Sequence, residues 1–380
     1  YPYRHDSYVY WLTGFNEPGA VVVLVGGAAP RHILFCRERN EEREIWDGFR
    51  YGPEAARETF AFDDAFTCDV LDAELRKLLE NQPALAYIIG RDMAWDTQMM
   101  GWLNTVRGRA RSGVHAPAHL VDARIWLDEM RLVKDDHELA LMRRAAEIST
   151  DAHRIAMRAT RPGHHEYEVE AELLCAFRSG GAEAPAYTSI VASGANACVL
   201  HYVFNNQPLR DGDLLLIDAA AEFGSYAADI TRTFPVNGRY SAAQKDAYEL
   251  VLAAQAAAVA AVRPGAAWIA PHDAAVRVLT QGMVDLGLLA GEVDGLIESK
   301  AYERFYMHRT GHWLGLDVHD AGEYKIKGDW RPLQPGMTLT VEPGLYIRPA
   351  DDVPEALWNI GIRIEDDVAV TGSGCEVLTT

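Results

Sequence analysis

Four carboxylates and a group of histidines stand in this chain at positions where such side chains are costly to place. Asp218 closes the apolar run Leu214-Leu215-Leu216-Ile217, and Asp229 follows Tyr226-Ala227-Ala228 after a short turn through 222–224. A lone Asp at a strand end is ordinarily a cap or an ion-pair partner. Two on facing strands beside apolar runs repel each other strongly unless a cation lies between them. Further along come His308, His312 and His319, then Glu342 in VEPGLY and Glu365 in IGIRIED. Glu342 follows the apolar run 337–341 and precedes a Pro343-Gly344 bend. Glu365 alternates with Arg363 on one strand face while Ile362 and Ile364 take the other. Carboxylates on otherwise hydrophobic strands need pairing or a metal, which is the reason to group them.

Charge counting then indicates the type of centre. Asp218, Asp229, Glu342 and Glu365 bring four negative charges and neutral His312 a nitrogen, which balances two divalent cations and leaves a shared hydroxide as the attacking group. Oxygen-rich ligation with one imidazole suits Mn²⁺, Co²⁺ or Zn²⁺ and argues against a structural zinc site. Two such ions, about 3.5 Å apart, would hold the hydroxide for attack while one polarises a scissile carbonyl.

The surrounding pattern supplies elements to position these groups. Residues 20–25 and 32–36 read as neighbouring strands joined by a turn at 26–30, followed by a helix over 69–79 and a strand over 84–89. Beyond residue 130 the pattern changes. A helix over 135–159, with Leu139, Met142, Ala146, Ser149, Ala152 and Ile155 on one side, is broken by Arg161-Pro162-Gly163, and a second helix runs from 166 to 180. About 100 residues later the arrangement recurs. Ser241 with Gln244 forms a capping box, the helix runs to 262, Arg263-Pro264-Gly265 breaks it, and another helix continues to 286. Strands are expected at 187–192, 214–219 and 225–234 after the first pair, and at 338–341, 345–347, 362–365 and 368–370 after the second. Two helix-RPG-helix units imply an internal duplication with roughly twofold symmetry, in which helices back a curved antiparallel sheet whose inner face carries the chemistry.

Composition narrows the function classes. Of 380 residues 49% are apolar and 24% charged, and no apolar run of the ~18 residues needed to span a bilayer occurs. The net charge of -19, from 55 acidic against 36 basic residues, repels nucleic acid, and no concentrated basic patch offsets it. Cys36, Cys68, Cys175, Cys198 and Cys375 are scattered and never form C-x-x-C, which points to reduced thiols in a cytoplasmic protein.

Residues 131–380 resemble the catalytic domain of the pita-bread metallopeptidases, and almost the whole chain resembles their proline-specific bacterial aminopeptidase P branch, which adds an N-terminal domain. The resemblance rests on HYVFNN at 201, LLLIDAAAEFGSYAADITRTFPVNG at 214, HRTGHWLGLDVHD at 308, LQPGMTLTVEPGLY at 333 and GIRIEDD at 361, in the family's order and spacing. It implies an α+β chain with a mixed α/β domain over 1–130 and a pita-bread domain with pseudo-twofold symmetry over 131–380. It implies a hydrolase that releases the N-terminal residue from peptides with proline second, with two ions, Mn²⁺ first among them, and a homotetramer or dimer. By the same resemblance Asp218 chelates one metal, Asp229 and Glu365 bridge both, and His312 with Glu342 completes the second. His319 stabilises the oxyanion and Glu342 shuttles a proton to the departing proline nitrogen. His201 and His308 orient the residue after the cut, Arg363 supports the bridging glutamate, and Arg124 lies near the cleft.

The chain departs from the family at Ala220 and Ala228, where glycine is usual, and at Arg309, which replaces a glycine after His308. Alanine fits if φ is negative. Arg309 is the feature that could turn the enzyme towards prolidase activity on Xaa-Pro dipeptides, by gripping a free carboxylate. A metal-free peptide-binding module on the same fold is a further alternative, against which the intact carboxylates speak.

Overall fold

The computed structural model describes residues 3–380, which divide after Leu127 into two compact units, the second being Asp128–Thr380. In the first unit, the strands Val21–Val25 and Arg31–Cys36 pair antiparallel, and Asp64–Thr67 adds in parallel to the other edge of the second. The helix Leu71–Leu79 packs on Met93–Arg107 through Leu75, Leu79, Met99, Trp102, Leu103 and Val106. A separate parallel pair joins Ala84–Tyr87 to His119–Asp122.

The second unit opens with the helix Asp136–Ala159, whose capping box joins Asp135 and Glu138. Its buried stripe runs through Met142, Ala145, Ala146, Ser149, Ala152 and Ala156, whereas Ile155, expected on that stripe, is exposed. The helical period carries 152 to 156 and leaves 155 a quarter-turn aside. After the 161–163 break comes the helix Glu166–Ser179. The second pair is Ala242–Ala261, capped by Ser241 and Gln244 as its sequence requires, and Ala270–Asp285.

The two halves repeat each other down to individual bonds. Gly163 N–H donates to Leu209 O at 2.9 Å and Gly265 N–H to Leu333 O at 2.8 Å. Leu209 N–H returns to His164 O at 2.7 Å, and Leu333 N–H to Ala266 O at 2.8 Å. Gly163 and Gly265 have φ of 92° and 79°, a region that favours glycine and explains the residue after each proline. Each hook leads the chain into a strand that runs towards the site, Leu214–Asp218 in one half and Thr338–Val341 in the other.

In the first half Leu214–Asp218 lies between Ile190–Ser193 and Thr231–Pro235, all antiparallel. In the second, Thr338–Val341 pairs with Asp366–Val370, and Gly344–Ile347 pairs with Ile360–Arg363. A bridge between Thr231 and Glu365 connects the halves. The span 225–234, expected as one strand, is two: Tyr226–Ala227 turns back on Ala221–Phe223 through Gly224 and Ser225, and Thr231–Pro235 pairs with Leu214–Asp218. Glu365 lies between Ile360–Arg363 and Asp366–Val370 rather than within a strand.

Candidate metal centre

The cross-strand neighbour of Asp218 is Thr231, not Asp229. Asp229 sits in the link between the two short strands, and the bond from Ala219 N–H to Ile230 O (3.1 Å) leaves it buried beside Asp218 rather than opposite it. What brings the two carboxylates together is Tyr187, whose hydroxyl oxygen is 2.6 Å from both Asp218 Oδ1 and Asp229 Oδ1. The expected pair is therefore adjacent, by a different route.

Asp229, His312 and Glu365 form one group whose candidate ligand atoms all lie within 4.8 Å of one another. His312 Nε2 is 3.4 Å from Asp229 Oδ2 and 3.8 Å from Glu342 Oε1. Its Nδ1 is 2.9 Å from Trp313 O, so the backbone fixes the ring and leaves Nε2 facing the carboxylates. Glu365 Oε2 accepts from Thr231 Oγ1 at 2.5 Å, and Glu365 N–H donates to Thr231 O at 3.1 Å. Asp218 Oδ2 accepts from Arg363 Nη2 at 2.6 Å. The same guanidinium donates to Tyr346 Oη at 3.0 Å and, through Nε, to Thr231 Oγ1 at 3.1 Å. Arg363 thus touches one aspartate directly and reaches Glu365 only through Thr231.

Electrostatics tests whether this donor set fits a cation. Burial first, and then the neighbouring carboxylates, lift Glu365 well above the usual range. Glu342 is pushed up to about 7, mainly by burial. Burial opposes protonation of His312, but the bond and charge of Asp229 and the charge of Glu342 outweigh it and raise the imidazole to about 9. Carboxyls crowded in this way collect protons at the place a divalent ion's charge would occupy, so the residues present fit a metal.

His308, with Nε2 2.8 Å from Tyr346 Oη and Nδ1 2.7 Å from Arg309 O, is lowered to about 3, by burial first and then by Arg363. His319 is exposed, its ring edge-on to His312 with centroids 4.4 Å apart. His201, also exposed, is near enough to contribute to the lowering of both His308 and His319, after burial and closer charges. Arg309 points its guanidinium over the Trp330 ring at 5.4 Å. Arg124 belongs to the first unit, where it bonds Asp122 and Ile89 O. Ala220 and Ala228 are fully buried, and neither has positive φ, so alanine is accommodated at both.

Tyr187, Thr231 and Asp367 also line the centre, beyond the residues the sequence pattern marks. Asp367 accepts from Asp229 N–H at 3.0 and 3.2 Å. Thr231 was reachable, because it alternates with Asp229 in ADITRTF; Tyr187, 31 positions before Asp218, carries no spacing signal.

Residues 140–372 match the metallopeptidase family M24, and residues 1–87 match the N-terminal domain of aminopeptidase P. The chain is 45% identical over 380 residues to the Xaa-Pro aminopeptidase of Haemophilus influenzae, covering all of this chain and 86% of that one. It is 44% identical to the Xaa-Pro aminopeptidase of Escherichia coli, with the same coverage. Among solved structures, Pseudomonas aeruginosa aminopeptidase PepP superposes with a TM-score of 0.98 at 52% identity, over 100% of this chain and 86% of that one. Proline aminopeptidase P II from Yersinia pestis gives 0.97 at 46%, over 100% and 88%. Fold, centre and sequence agree: the chain belongs to metallopeptidase family M24, in the bacterial Xaa-Pro aminopeptidase branch.

Proposed function

We propose that this chain hydrolyses the bond before proline and releases the N-terminal residue of peptides that carry proline second, with two divalent ions, Mn²⁺ foremost, at the centre. The observation that carries the reading is the group of Asp229, His312 and Glu365, its two carboxylates buried and its imidazole partly so, with ligand atoms within 4.8 Å. Asp218 and Glu342 complete the donor set, and residues 131–380 form the catalytic domain. When bound, the ions polarise the scissile carbonyl and acidify a water.

The chain's own groups do the rest. Asp229, Glu365 and His312 would hold the ions, His312 through Nε2, its other nitrogen being held by Trp313 O. Glu342, with Oε2 3.8 Å from His308 Nδ1, moves the proton to the leaving proline nitrogen. His319, exposed beside His312, donates to the developing oxyanion. His308 and His201 orient the residue after the cut. A homotetramer or dimer and a cytoplasmic location are supported by the family resemblance and by the scattered thiols; among the described residues no helix is long and apolar enough to cross a membrane.

Arg363 tunes the centre. Its side chain and that of Asp218 are 5% and 13% exposed, so Arg363→Ala leaves a nearly buried carboxylate without its cation. Loss of one member of such a pair costs about 3 kcal/mol. The variant is expected to fold with a lowered Tm, to bind metal more weakly and to turn over at least about tenfold more slowly. Activity and metal affinity equal to wild type would exclude this role.

The aminopeptidase reading is tested against prolidase by comparing kcat/KM for Ala-Pro-Ala and Ala-Pro at the same metal loading. The tripeptide is expected to be the better substrate, because a dipeptide brings its carboxylate into a cleft lined by acidic ligands. Arg309, the residue able to grip that carboxylate, is engaged over Trp330. Exclusive cleavage of the dipeptide would overturn the assignment, and loss of that activity in Arg309→Gly would name the cause.

A further inference from the structure

The loop that carries His201 is only partly held by apolar packing, through Ala197 and Tyr202 against Ile190, Ala192 and Leu216. Val199, Val203 and Phe204 are 44%, 45% and 75% exposed, while Tyr202 and Asn205 turn inward. Polar bonds supplement this packing, and five of them converge on one carboxylate. Glu166, the first residue of the helix Glu166–Ser179, is fully buried. Its Oε1 accepts from Ser193 N–H at 2.8 Å, Ser193 Oγ at 2.7 Å and Asn196 Nδ2 at 3.1 Å. Its Oε2 accepts from Tyr202 Oη at 2.7 Å and Gln207 N–H at 2.9 Å. These donors are all neutral and all come from residues 193–207, and Tyr202 is the immediate neighbour of His201.

The fold itself does not demand a carboxylate there. Through the duplication, Glu166 corresponds to Trp268: Glu166 N–H donates to Gln207 O at 3.0 Å, and Trp268 N–H donates to Arg331 O at 2.8 Å, three positions after the matched glycines. Trp268 is buried against Trp313, Tyr324 and Trp330. An aromatic cluster fills in one half what a buried charge organises in the other. Burying a carboxylate is costly unless its lone pairs are satisfied, and once they are, the charged hydrogen bonds define geometry more tightly than loose apolar contacts do.

We infer that Glu166 is a positioning residue for substrate, a clip that fixes where the 193–207 loop presents His201 to the residue after the scissile bond. This rests on the substrate-side assignment of His201 made above. The clip acts on peptide capture and leaves the metal ligands alone.

Glu166→Gln tests it, because the amide cannot accept at both ends: in either orientation its NH₂ group faces backbone or side-chain donors that the carboxylate had satisfied. Kinetics on a Xaa-Pro tripeptide would be measured for wild type, Glu166→Gln, His201→Ala and the double variant, with metal content determined for each. Glu166→Gln is expected to lower kcat/KM roughly tenfold, mainly through KM, with full metal content. In the His201→Ala background the same change is expected to have no further effect. Full additivity of the two losses would overturn the clip while leaving the His201 assignment standing. Wild-type kinetics in His201→Ala would instead overturn that assignment, and the clip's purpose with it. If Glu166→Gln fails to fold, Tyr202→Phe removes a single donor and the cycle is repeated; a loss that vanishes in His201→Ala supports the clip, and an additive loss refutes it.

Discussion

Asp229→Asn is expected to reduce kcat/KM by at least about 100-fold, the scale associated with disrupted ligation or lost electrostatic stabilisation. The substitution nearly keeps the side chain's shape while removing one of the charges the centre depends on. Asp229 is also tied into the fold at its backbone, where its N–H donates to Asp367 at 3.0 Å, so the chain should stay in place when the side chain changes. The amide can still contact Tyr187, but it offers only one oxygen to a site in which Asp229 now presents Oδ1 to Tyr187 and Oδ2 to His312. Kinetics and metal content should be measured on the same preparation. Near-normal turnover with a full metal complement would refute a shared role for Asp229.

Stripping the protein with a chelator is expected to abolish turnover and to lower thermal stability together. A ligand that binds only the folded chain stabilises it by about 2.7 kcal/mol at a free concentration 100 times its Kd. For a unit of this size each kcal/mol moves Tm by roughly 2–4 °C. The carboxylates set the direction: Glu365 and Glu342 are both raised, chiefly by burial, and a divalent ion relieves the repulsion among them that adds to this. Calorimetry with and without added Mn²⁺, beside an activity assay on the same samples, checks both arms. Unchanged Tm on metal removal, or full activity in metal-free protein, would exclude the centre as drawn.

Much of this was legible in the chain because the relevant signals are local. The Ser241–Gln244 box, the two RPG breaks and the apolar run 214–217 are each decided by neighbours a few residues away, and the structure has them where the pattern puts them. Glu342 and Glu365 stood out because a charged residue beside buried strands is conspicuous in any sequence. Asp229 lies beside Asp218 but on a different backbone from the expected strand, since a period-two pattern continues through Ala228 and Ile230 whether or not the strand does. Tyr187 and Glu166 were out of reach. A tyrosine between two aspartates and a carboxylate ringed by five donors are products of chain segments that meet only in the fold. Arg363 fell between these cases, because its strand face was readable and its partner Asp218, 145 positions away, was not.

The seam at Thr231 bears on how the protein comes into being. Thr231, Thr233 and Asp218 bond Arg363 and Glu365 across 130 to 145 intervening positions, whereas each helix pair closes on residues close by in the chain. Contacts of such long range carry a greater loop-closure cost than local ones and slow folding. The donors of the centre come from both halves, Asp229 from one and His312 and Glu365 from the other. Neither half alone holds a centre, so the capacity to cut peptides exists only where the two are joined.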